Sequence, residues 1–335
     1  MKYRQLGTTD LSISEVGFGV WTVATNWWGK IKESDGINLL TKAMDLGVNY
    51  FDTGDTYGEG YGEEILAKAL SKHRHDIIIG TKFGYDFYTN VEREGHTERP
   101  QKWTPGFIRY ACEQSLRRLN TDYIDLYQLH NPKMEALEDD ELYGTLDELV
   151  AEGKIRNYGF AIGPDIGWEE EGETAITEKH AKAMQIIYSI LEQDPTRKWF
   201  PSAEREQTGF VTRVPHASGM LDGTYNKDTV FEASDHRSHR KQLWLDNTLQ
   251  KIAQLDFLME NMDSTIGQIA IKFALSGPMV ASVLPNFTNI PQLEEFTATS
   301  ETNDIPPEFL DRIIELYDEN FYVEELSVEE SSVAD

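Results

Sequence analysis

The sequence contains a single cysteine, Cys112, among 335 residues. One thiol cannot form an internal disulfide or a cysteine-ligated metal cluster, which is typical of proteins in a reducing cytosol. No apolar run approaches the roughly 20 residues that a membrane-spanning helix needs. The first residues, Met1 to Leu6, lack the apolar core of a signal peptide. We therefore expect a cytoplasmic protein with no membrane partner.

Basic residues are scarce: 31 Lys and Arg stand against 58 Asp and Glu, for a net charge of −27. Such a surface repels nucleic-acid backbones and anionic membranes, so neither is an expected partner. Two explanations of the charge remain open, an ordinary acidic enzyme surface and an adaptation to a salt-rich cytosol in which screening reduces self-repulsion. Hydrophobic residues still make up 39% of the chain, enough to form a folded core.

The chain also lacks the fingerprint of a doubly wound dinucleotide-binding sheet. The first strand and turn, residues 17–21, read Gly-Phe-Gly-Val-Trp, and do not match Gly-x-Gly-x-x-Gly. Short apolar runs instead alternate with helical patterns along the whole chain, which predicts a (β/α)8 barrel. The predicted strands are residues 15–18, 49–52, 77–81, 124–129, 157–161, 186–188, 210–215 and 281–284.

Other local patterns complete this prediction. Residues 3–6 and 11–14 flank a turn and are predicted to form a hairpin before the barrel. Thr104 and Pro105 are typical of the N-cap and the first residue of a helix. An extra helix is expected at 241–254, in the long interval between strands seven and eight. We predict one domain over residues 1–322, followed by an acidic tail at 323–335.

Polar side chains stand at the ends of successive predicted strands. Asp52 ends the second strand, Lys82 follows the third and His130 follows the fourth, while Tyr57 lies in the loop after Asp52. Because the strands of a barrel end at one face, these four side chains are expected to meet there. Each has an ordinary structural explanation when taken singly, such as a turn cap or a solvated strand end. Their combination favours an active site.

These four residue types fit the reduction of a carbonyl group, which needs a hydride at carbon and a proton at oxygen. Tyrosine, with a pKa of about 10, is a weak acid at neutral pH, and an ammonium group beside it stabilises the phenolate. We interpret Tyr57 as the proton donor, Lys82 as its charged neighbour and Asp52 as the group that holds Lys82. His130 is interpreted as a hydrogen-bond donor to the carbonyl oxygen.

Two long segments carry a family resemblance. Residues 51–58 (FDTGDTYG) and 115–130 (SLRRLNTDYIDLYQLH) resemble the signatures of the aldo-keto reductases, and the resemblance spans nearly the whole chain. It implies a (β/α)8 TIM barrel whose amino end is closed by the N-terminal β-hairpin, with a nicotinamide cofactor extended over the carboxyl face. It also implies that the catalytic residues are Asp52, Tyr57, Lys82 and His130.

The resemblance further implies cofactor-binding roles for Val20, Trp21, Asp52, Gln185, Arg213, Pro215, Ser218, Asn286, Thr288 and Gln292. Two places depart from the family pattern. Ala161 and Ile162 stand where members usually carry Ser-Asn to hold the nicotinamide carboxamide, although the other carboxamide ligand, Gln185, is present. Arg213 stands where members usually carry an aromatic ring stacked on the nicotinamide. Its planar guanidinium either stacks in the same way or points elsewhere.

A third departure concerns the choice of cofactor. Members that prefer NADPH usually place Arg or Lys after the proline of strand eight, where it pairs with the 2′-phosphate. No base occurs between Pro285 and Gln292. The family pattern still implies NADP(H), and the missing base keeps NAD(H) as a rival.

Aromatic residues are concentrated after strands one and three, in loops of the kind that build pockets at this face. An aromatic-lined substrate pocket is therefore predicted, with the side chains of Trp21, Trp27, Tyr85 and Trp103. No metal site is predicted, because Asp235, His236 and His239 lie in a polar segment where histidines are usually solvated.

These features together predict an NAD(P)H-dependent oxidoreductase that reversibly reduces the carbonyl groups of aldehydes, ketones or sugars. The alternative is a cofactor-binding regulatory subunit of the same fold, like the potassium-channel beta subunits, since a fold does not determine a function. The complete set of four site residues favours catalysis, while the altered carboxamide and stacking positions favour the regulatory alternative. The physiological substrate and the oligomeric state stay open.

Overall fold

The structure is a computed structural model that describes residues 1–89, 98–163, 168–231, 236–239 and 242–324. An antiparallel hairpin, β1 (Tyr3–Gln5) and β2 (Ser12–Ser14), precedes eight parallel strands that form one sheet in chain order. This is the arrangement of a (β/α)8 barrel, as predicted. The barrel strands are β3 (Phe18–Gly19), β4 (Tyr50–Asp52), β5 (Ile78–Phe83), β6 (Ile124–His130), β7 (Ile155–Ala161), β8 (Ala183–Ile187), β9 (Gly209–Arg213) and β10 (Val280–Leu284).

The barrel closes through the residues that precede β3. Gly17 N donates to Val283 O at 2.9 Å, and Val283 N donates to Glu15 O at 2.9 Å. Val16 and Val283 form a parallel bridge between these bonds. The first predicted strand, at 15–18, was therefore placed too early: regular pairing with β4 covers only Phe18 and Gly19. The sixth was placed too late and the seventh ran too far, since β8 begins at Ala183 and β9 ends at Arg213.

Helices follow the strands around the barrel. The α-helices of the described residues are α1 (Trp21–Ala24), α2 (Glu33–Asp45), α3 (Tyr61–Leu70), α4 (Pro105–Leu119), α5 (Met134–Leu137), α6 (Asp140–Ala151), α7 (Glu169–Thr177), α8 (Thr196–Glu206), α9 (Gln242–Ala253), α10 (Asp256–Asn261), α11 (Ile266–Ser276), α12 (Ile290–Ala298) and α13 (Pro307–Asp318). As predicted, Thr104 precedes α4 in an extended conformation and Pro105 is its first residue. Helix α9 confirms the extra helix expected near 241–254.

Two hydrophobic clusters form the core. The larger lies between the barrel wall and the helices, and includes Ile108, Cys112 and Leu116 on the inner face of α4. Cys112 is fully buried there, and burial raises the pKa of its thiol to about 12. The predicted acidic tail, 323–335, lies almost wholly outside the described residues. In the part of the chain that the structure describes, no helix has the length and apolarity needed to cross a membrane.

The smaller cluster fills the inside of the barrel at its amino end. The hairpin contributes Leu6, Leu11 and Ile13, which pack with strand residues such as Leu126 and Val211. The hairpin turn is seated directly on the strands: Gly7 has φ +51°, and a Cβ there would lie 2.2 Å from Lys182 O. Only glycine tolerates both the conformation and this approach. The hairpin therefore closes the amino end and leaves the carboxyl end open.

Shortening a hairpin side chain is expected to destabilise the whole barrel. Leu6 is fully buried, so Leu6→Ala should leave a cavity and lower the free energy of unfolding by about 2–5 kcal/mol. Urea unfolding measures this loss. Val150→Ala, at a side chain that is 38% exposed, is the matched control and should change stability by less than about 1 kcal/mol. Equal effects of the two substitutions would contradict the role of the hairpin in the core.

Candidate active site

A buried ion pair lies at the carboxyl ends of β4 and β5. Lys82 Nζ donates to Asp52 Oδ1 and, at 2.7 Å, to Thr53 O. The second carboxylate oxygen, Asp52 Oδ2, accepts from Gln128 Nε2 at 3.0 Å and from Tyr50 OH at 3.4 Å. The two charged residues are 3% and 0% exposed, respectively. Since a buried ion pair is stable only when its polar atoms are satisfied, these bonds account for its burial.

The ion pair places a fixed positive charge beside Tyr57. Burial lowers the pKa of Lys82, but attraction to Asp52 and Tyr57 outweighs burial and raises that pKa above its usual range. The ammonium group is therefore charged throughout the physiological pH range. Lys82 Nζ lies 4.8 Å from the centroid of the Tyr57 ring. Tyr57 is itself 8% exposed, so little water screens this charge.

His130, at the end of β6, completes the group. Its ring meets the Tyr57 ring edge to face, with centroids 5.8 Å apart and an interplanar angle of 77°. Burial lowers the pKa of His130 well below its usual value, and the positive charges of Lys82 and Arg213 lower it further. Its Nδ1 is buried without a hydrogen-bond partner in the described residues. A neutral imidazole of this kind can donate one hydrogen bond to a ligand, from the ring nitrogen that its tautomer protonates.

Aromatic rings border this group on two sides. Trp21, in α1, packs against Tyr57 with centroids 4.7 Å apart, and Trp27 packs behind Trp21 at 5.0 Å. On the other side the ring of Tyr85 meets His130 at 4.9 Å. Three of the four predicted pocket residues therefore surround Tyr57 and His130.

Trp103, the fourth predicted pocket residue, packs against the end of β5. Its ring contacts Phe83 at a centroid distance of 5.7 Å. It covers Gly84, where a Cβ would lie 2.3 Å from the indole. In the described residues no ring contact joins Trp103 to Tyr57 or His130, so its place in the substrate pocket stays a prediction.

Predicted cofactor residues surround a separate cavity between the chain segments that follow β9 and β10. Asn286, Thr288 and Gln292 line it, together with residues that sequence reasoning missed: Trp28, His216, Gly219, Asp222, Tyr225 and Arg237. Thr288 Oγ1 donates to Gln292 Oε1 at 2.6 Å, and Asn286 Oδ1 accepts from Thr22 at 3.1 Å. Polar side chains that are ordered by one another in this way suit the ribose and phosphate groups of a dinucleotide.

The segment after β9 has an unusual backbone. Val214, Ala217 and Ser218 have positive φ angles of 59°, 46° and 58°. A β-branched residue such as valine is rarely found there, and such conformations cluster at ligand-binding segments. Pro215 is buried within the turn, and Ser218 O accepts from Arg237 Nη1 at 2.9 Å. The predicted cofactor residues Pro215 and Ser218 therefore belong to the wall that carries Arg237.

The remaining cofactor candidates lie between the cavity and Tyr57. Val20 is buried and its backbone N donates to Asp52 O at 2.8 Å. Gln185, inside β8, is 1% exposed, and its Nε2 has no hydrogen-bond partner in the described residues. A buried unpaired amide is costly, so this donor fits a ligand carbonyl such as the nicotinamide carboxamide. Ala161 pairs in register with both Gln185 and His130, which places the amide and the imidazole on neighbouring strands.

Arg213 ends β9 and reaches across the neighbouring strand. Its Nη2 donates to Ile162 O at 2.9 Å, just beyond β7. The side chain is half-buried and crosses the end of β8, so it lies over the barrel mouth.

Sequence reasoning also missed the residues that hold Asp52. Gln128 lies two residues before His130, and Tyr50 two before Asp52. Side chains two apart on a strand share a face. The two-residue spacing therefore indicates that Gln128 and Tyr50 also face the barrel mouth, where His130 and Asp52 are expected. No comparable sequence pattern marks Asp222 and Arg237, because they lie in segments outside the barrel strands.

In the described residues, no cluster of three or more His, Cys, Asp or Glu side chains has the geometry of a metal site. Asp235 and the side chains of His236 and His239 lie outside the described residues. The candidate site consists of a tyrosine, a charged lysine, a neutral histidine and an amide without a hydrogen-bond partner in the described residues, all at the mouth of the barrel.

This barrel and its site are those of an oxidoreductase, and comparison with known proteins gives the family. A family model described as the aldo/keto reductase family matches residues 15–318. The chain belongs to this family. Because the match begins before β3 and extends through α13, it includes all eight barrel strands.

Individual proteins are similar to this chain over most of its length. An uncharacterized oxidoreductase of Bacillus subtilis, YqkF, is 34% identical over 88% of this chain and 90% of its own length. A protein of Escherichia coli named NADH-specific methylglyoxal reductase is 29% identical over 90% and 94%. A probable voltage-gated potassium channel subunit beta of Arabidopsis thaliana is 27% identical over 88% and 90%.

A solved structure shows the same fold. The holo form of an aldo-keto reductase from Bacillus halodurans superposes with a TM-score of 0.76 at 30% identity. The alignment covers 94% of this chain and 96% of that chain.

From the lowered pKa of His130 we predict how the stability of the fold depends on pH. The unfolded chain takes up a proton on histidine near pH 6.5, while folded His130 does so only at lower pH. The unfolded state therefore binds more protons below about pH 6.5, and this residue destabilises the fold as pH falls. His130→Gln removes that contribution.

Between about pH 7.5 and 5.5, wild type should lose more stability than His130→Gln, by a margin on the order of 1 kcal/mol. Urea unfolding at both pH values measures the margin. His216, whose pKa burial also lowers, is present in both proteins and cancels from the comparison. Parallel losses in the two proteins would show that folded His130 titrates normally.

Proposed function

We propose that this protein reduces the carbonyl groups of small molecules with NAD(P)H, and that Tyr57 is the general acid. The observation that carries the proposal is the buried Lys82 ammonium, held by Asp52 at 4.8 Å from the centroid of the Tyr57 ring. A positive charge beside a tyrosine stabilises the phenolate that remains after the proton has been transferred. The neutral imidazole of His130 on the other side is suited to orient a carbonyl oxygen.

Each of the four site residues has a separate role in the proposed reaction. A bound reduced nicotinamide supplies the hydride for the carbonyl carbon. His130 donates a hydrogen bond to the carbonyl oxygen, and Tyr57 O–H transfers its proton to that oxygen as charge develops there. Lys82 stabilises the phenolate that remains, and Asp52 keeps Lys82 in place. In the direction of alcohol oxidation the phenolate of Tyr57 accepts the proton again.

The structure supports two contact regions for the cofactor. Gln185 Nε2 would donate to the carboxamide, and Asn286, Thr288 and Gln292 would contact the far end. The family pattern supports NADP(H). The missing base after Pro285 and the relative named as NADH-specific support NAD(H).

The regulatory alternative has support of its own, since relatives of this chain are named as potassium-channel beta subunits. The complete set of Asp52, Tyr57, Lys82 and His130 favours catalysis over this alternative. Turnover measurements separate the two functions.

Tyr57→Phe is expected to lower kcat about 10²- to 10⁴-fold, because it removes the proton donor and little else. The assay follows oxidation of NADPH and, separately, NADH with aldehydes, ketones and sugars, at low and high salt. Tyr110→Phe is the matched control, since that tyrosine is 48% exposed, and it should retain full turnover.

Turnover that survives in Tyr57→Phe would exclude this tyrosine as the general acid. Cofactor binding by the wild type without turnover of any carbonyl, at any salt concentration, would favour the regulatory function.

Gln185→Leu is expected to weaken the binding of either cofactor about 3- to 10-fold, because one neutral hydrogen bond is lost. Titration of protein fluorescence with NADH and with NADPH measures both dissociation constants and identifies the preferred cofactor. Gln254→Leu, at an exposed glutamine, is the control. Unchanged affinity in Gln185→Leu would mean that the carboxamide is held by other groups.

A further inference from the structure

Arg213 has a position that the proposed reaction does not use. It ends β9, in register with Ile187 of β8 and Leu284 of β10. It lies two residues after Val211, which faces the inside of the barrel, so Arg213 faces the same way at the open end. Its guanidinium reaches Ile162 O at 2.9 Å, next to the strand end that pairs with His130.

Arg213, which is half-buried, differs from several other cations that are buried or half-buried. In several cases a carboxylate lies against the buried charge: the pairs are Lys82–Asp52, Arg74–Asp125 at 2.7 Å, Arg118–Glu63 at 2.7 Å and Lys272–Asp304 at 2.9 Å. In the described part of the chain no carboxylate lies within ion-pair distance of Arg213. Burial lowers the pKa of Arg213, while Tyr57, Asp52 and Glu192 oppose this only at longer range. A guanidinium nevertheless remains charged.

A half-buried cation at the barrel mouth, with no carboxylate within ion-pair distance in the described residues, suits an anionic ligand. One carbonyl oxygen occupies part of the donor capacity of Arg213, and the guanidinium fork has further N–H groups. The chain carries a net charge of −27, so a positive group at the barrel mouth is opposite in sign to the surface around it. The local field therefore favours an anion at a site that the surface as a whole repels.

The direction of the Arg213 side chain indicates which ligand its guanidinium would contact, the substrate or a phosphate of the cofactor. Arg213 points across β8 towards the end of β7, while the polar cavity residues Asn286, Thr288 and Gln292 follow β10, on the opposite side of β9. The guanidinium is thus turned away from the far end of the cofactor. It is turned towards His130, where the carbonyl of a substrate would lie.

We propose that Arg213 binds a carboxylate that the substrate carries close to its reactive carbonyl, so that 2-oxo acids and related oxo-carboxylates are preferred substrates. This inference rests on the proposed function. A carboxylate can be bonded directly to the carbonyl carbon, and its two oxygens match the planar guanidinium fork. The reaction is the one already described: the carbonyl carbon gains a hydride, the oxygen gains the Tyr57 proton, and the carboxylate is unchanged in the 2-hydroxy acid product.

The experiment compares phenylglyoxylate with its methyl ester, which differs mainly in charge. Wild type should have the higher kcat/KM for the acid. In Arg213→Met the ratio of kcat/KM for acid over ester should fall about 10- to 100-fold, the cost of one charged hydrogen-bonded contact. Because the ratio is taken within one protein, any effect of the substitution on cofactor binding cancels.

Arg213→Lys should retain part of the ratio, since it keeps the charge and loses the fork. Arg109→Met removes a surface arginine paired with Glu148 and Glu152 and should leave the ratio unchanged. An equal ratio in wild type and Arg213→Met would overturn the proposal, as would a wild-type preference for the ester.

Benzaldehyde, which has no anionic group, tests the proposed function separately. If benzaldehyde is reduced while the acid has no advantage over the ester, the reaction stands and the role of Arg213 does not. If nothing is reduced, calorimetric titration of the protein–NADH mixture with oxamate, an unreactive analogue of a 2-oxo acid, decides. Oxamate binding that Arg213→Met abolishes supports the proposal, and absent or unaltered binding contradicts it.

Discussion

The ion pair between Lys82 and Asp52 is the constraint on which the site depends. A charge inside a barrel is stable only when hydrogen-bond and ionic partners surround it in the folded state, since neither ion retains much water. The partners come from three neighbouring strands: Tyr50 and Asp52 from β4, Lys82 from β5 and Gln128 from β6. The pairing register of β4, β5 and β6 therefore determines which charged and polar side chains meet at the barrel mouth. Tyr57, in the loop after β4, lies beside a charge that these three strands hold in place.

Much of this could be predicted from the sequence, because a parallel barrel has simple rules. Strands end at one face, so Asp52, Lys82 and His130 could be brought together without coordinates. What escaped prediction depends on contacts between distant segments. The strand pattern at residues 15–18 does not reveal that Val16 forms a bridge to β10 instead of a ladder. Arg237 reaches the cavity from a segment distant in sequence, and its Nη1 donates to Ser218 O in the turn with positive φ angles.

The departures from the family pattern lie on neighbouring strands of the barrel. Ala161 and Ile162 stand at and just beyond the end of β7, Arg213 ends β9 and the segment without a base follows β10, while Gln185 of β8 keeps the family pattern. Where the family usually places hydroxyl, amide and aromatic groups, this chain places two apolar side chains and a cation. The opposite arc, from β4 to β6, keeps the full set that acts on the carbonyl oxygen. The strands that carry the residues for proton transfer thus follow the family pattern, and the strands that would contact the rest of the ligand depart from it.

The buried thiol of Cys112 gives the barrel a chemical property unrelated to its site. Only the thiolate reacts readily with alkylating and oxidising reagents, and this thiol is both enclosed and strongly protonated at neutral pH. Modification therefore requires helix α4 to separate from the barrel wall. As the chain has no other cysteine, the rate of labelling in native buffer reports the opening of this one helix, and the folded enzyme is resistant to thiol oxidants without any protective system.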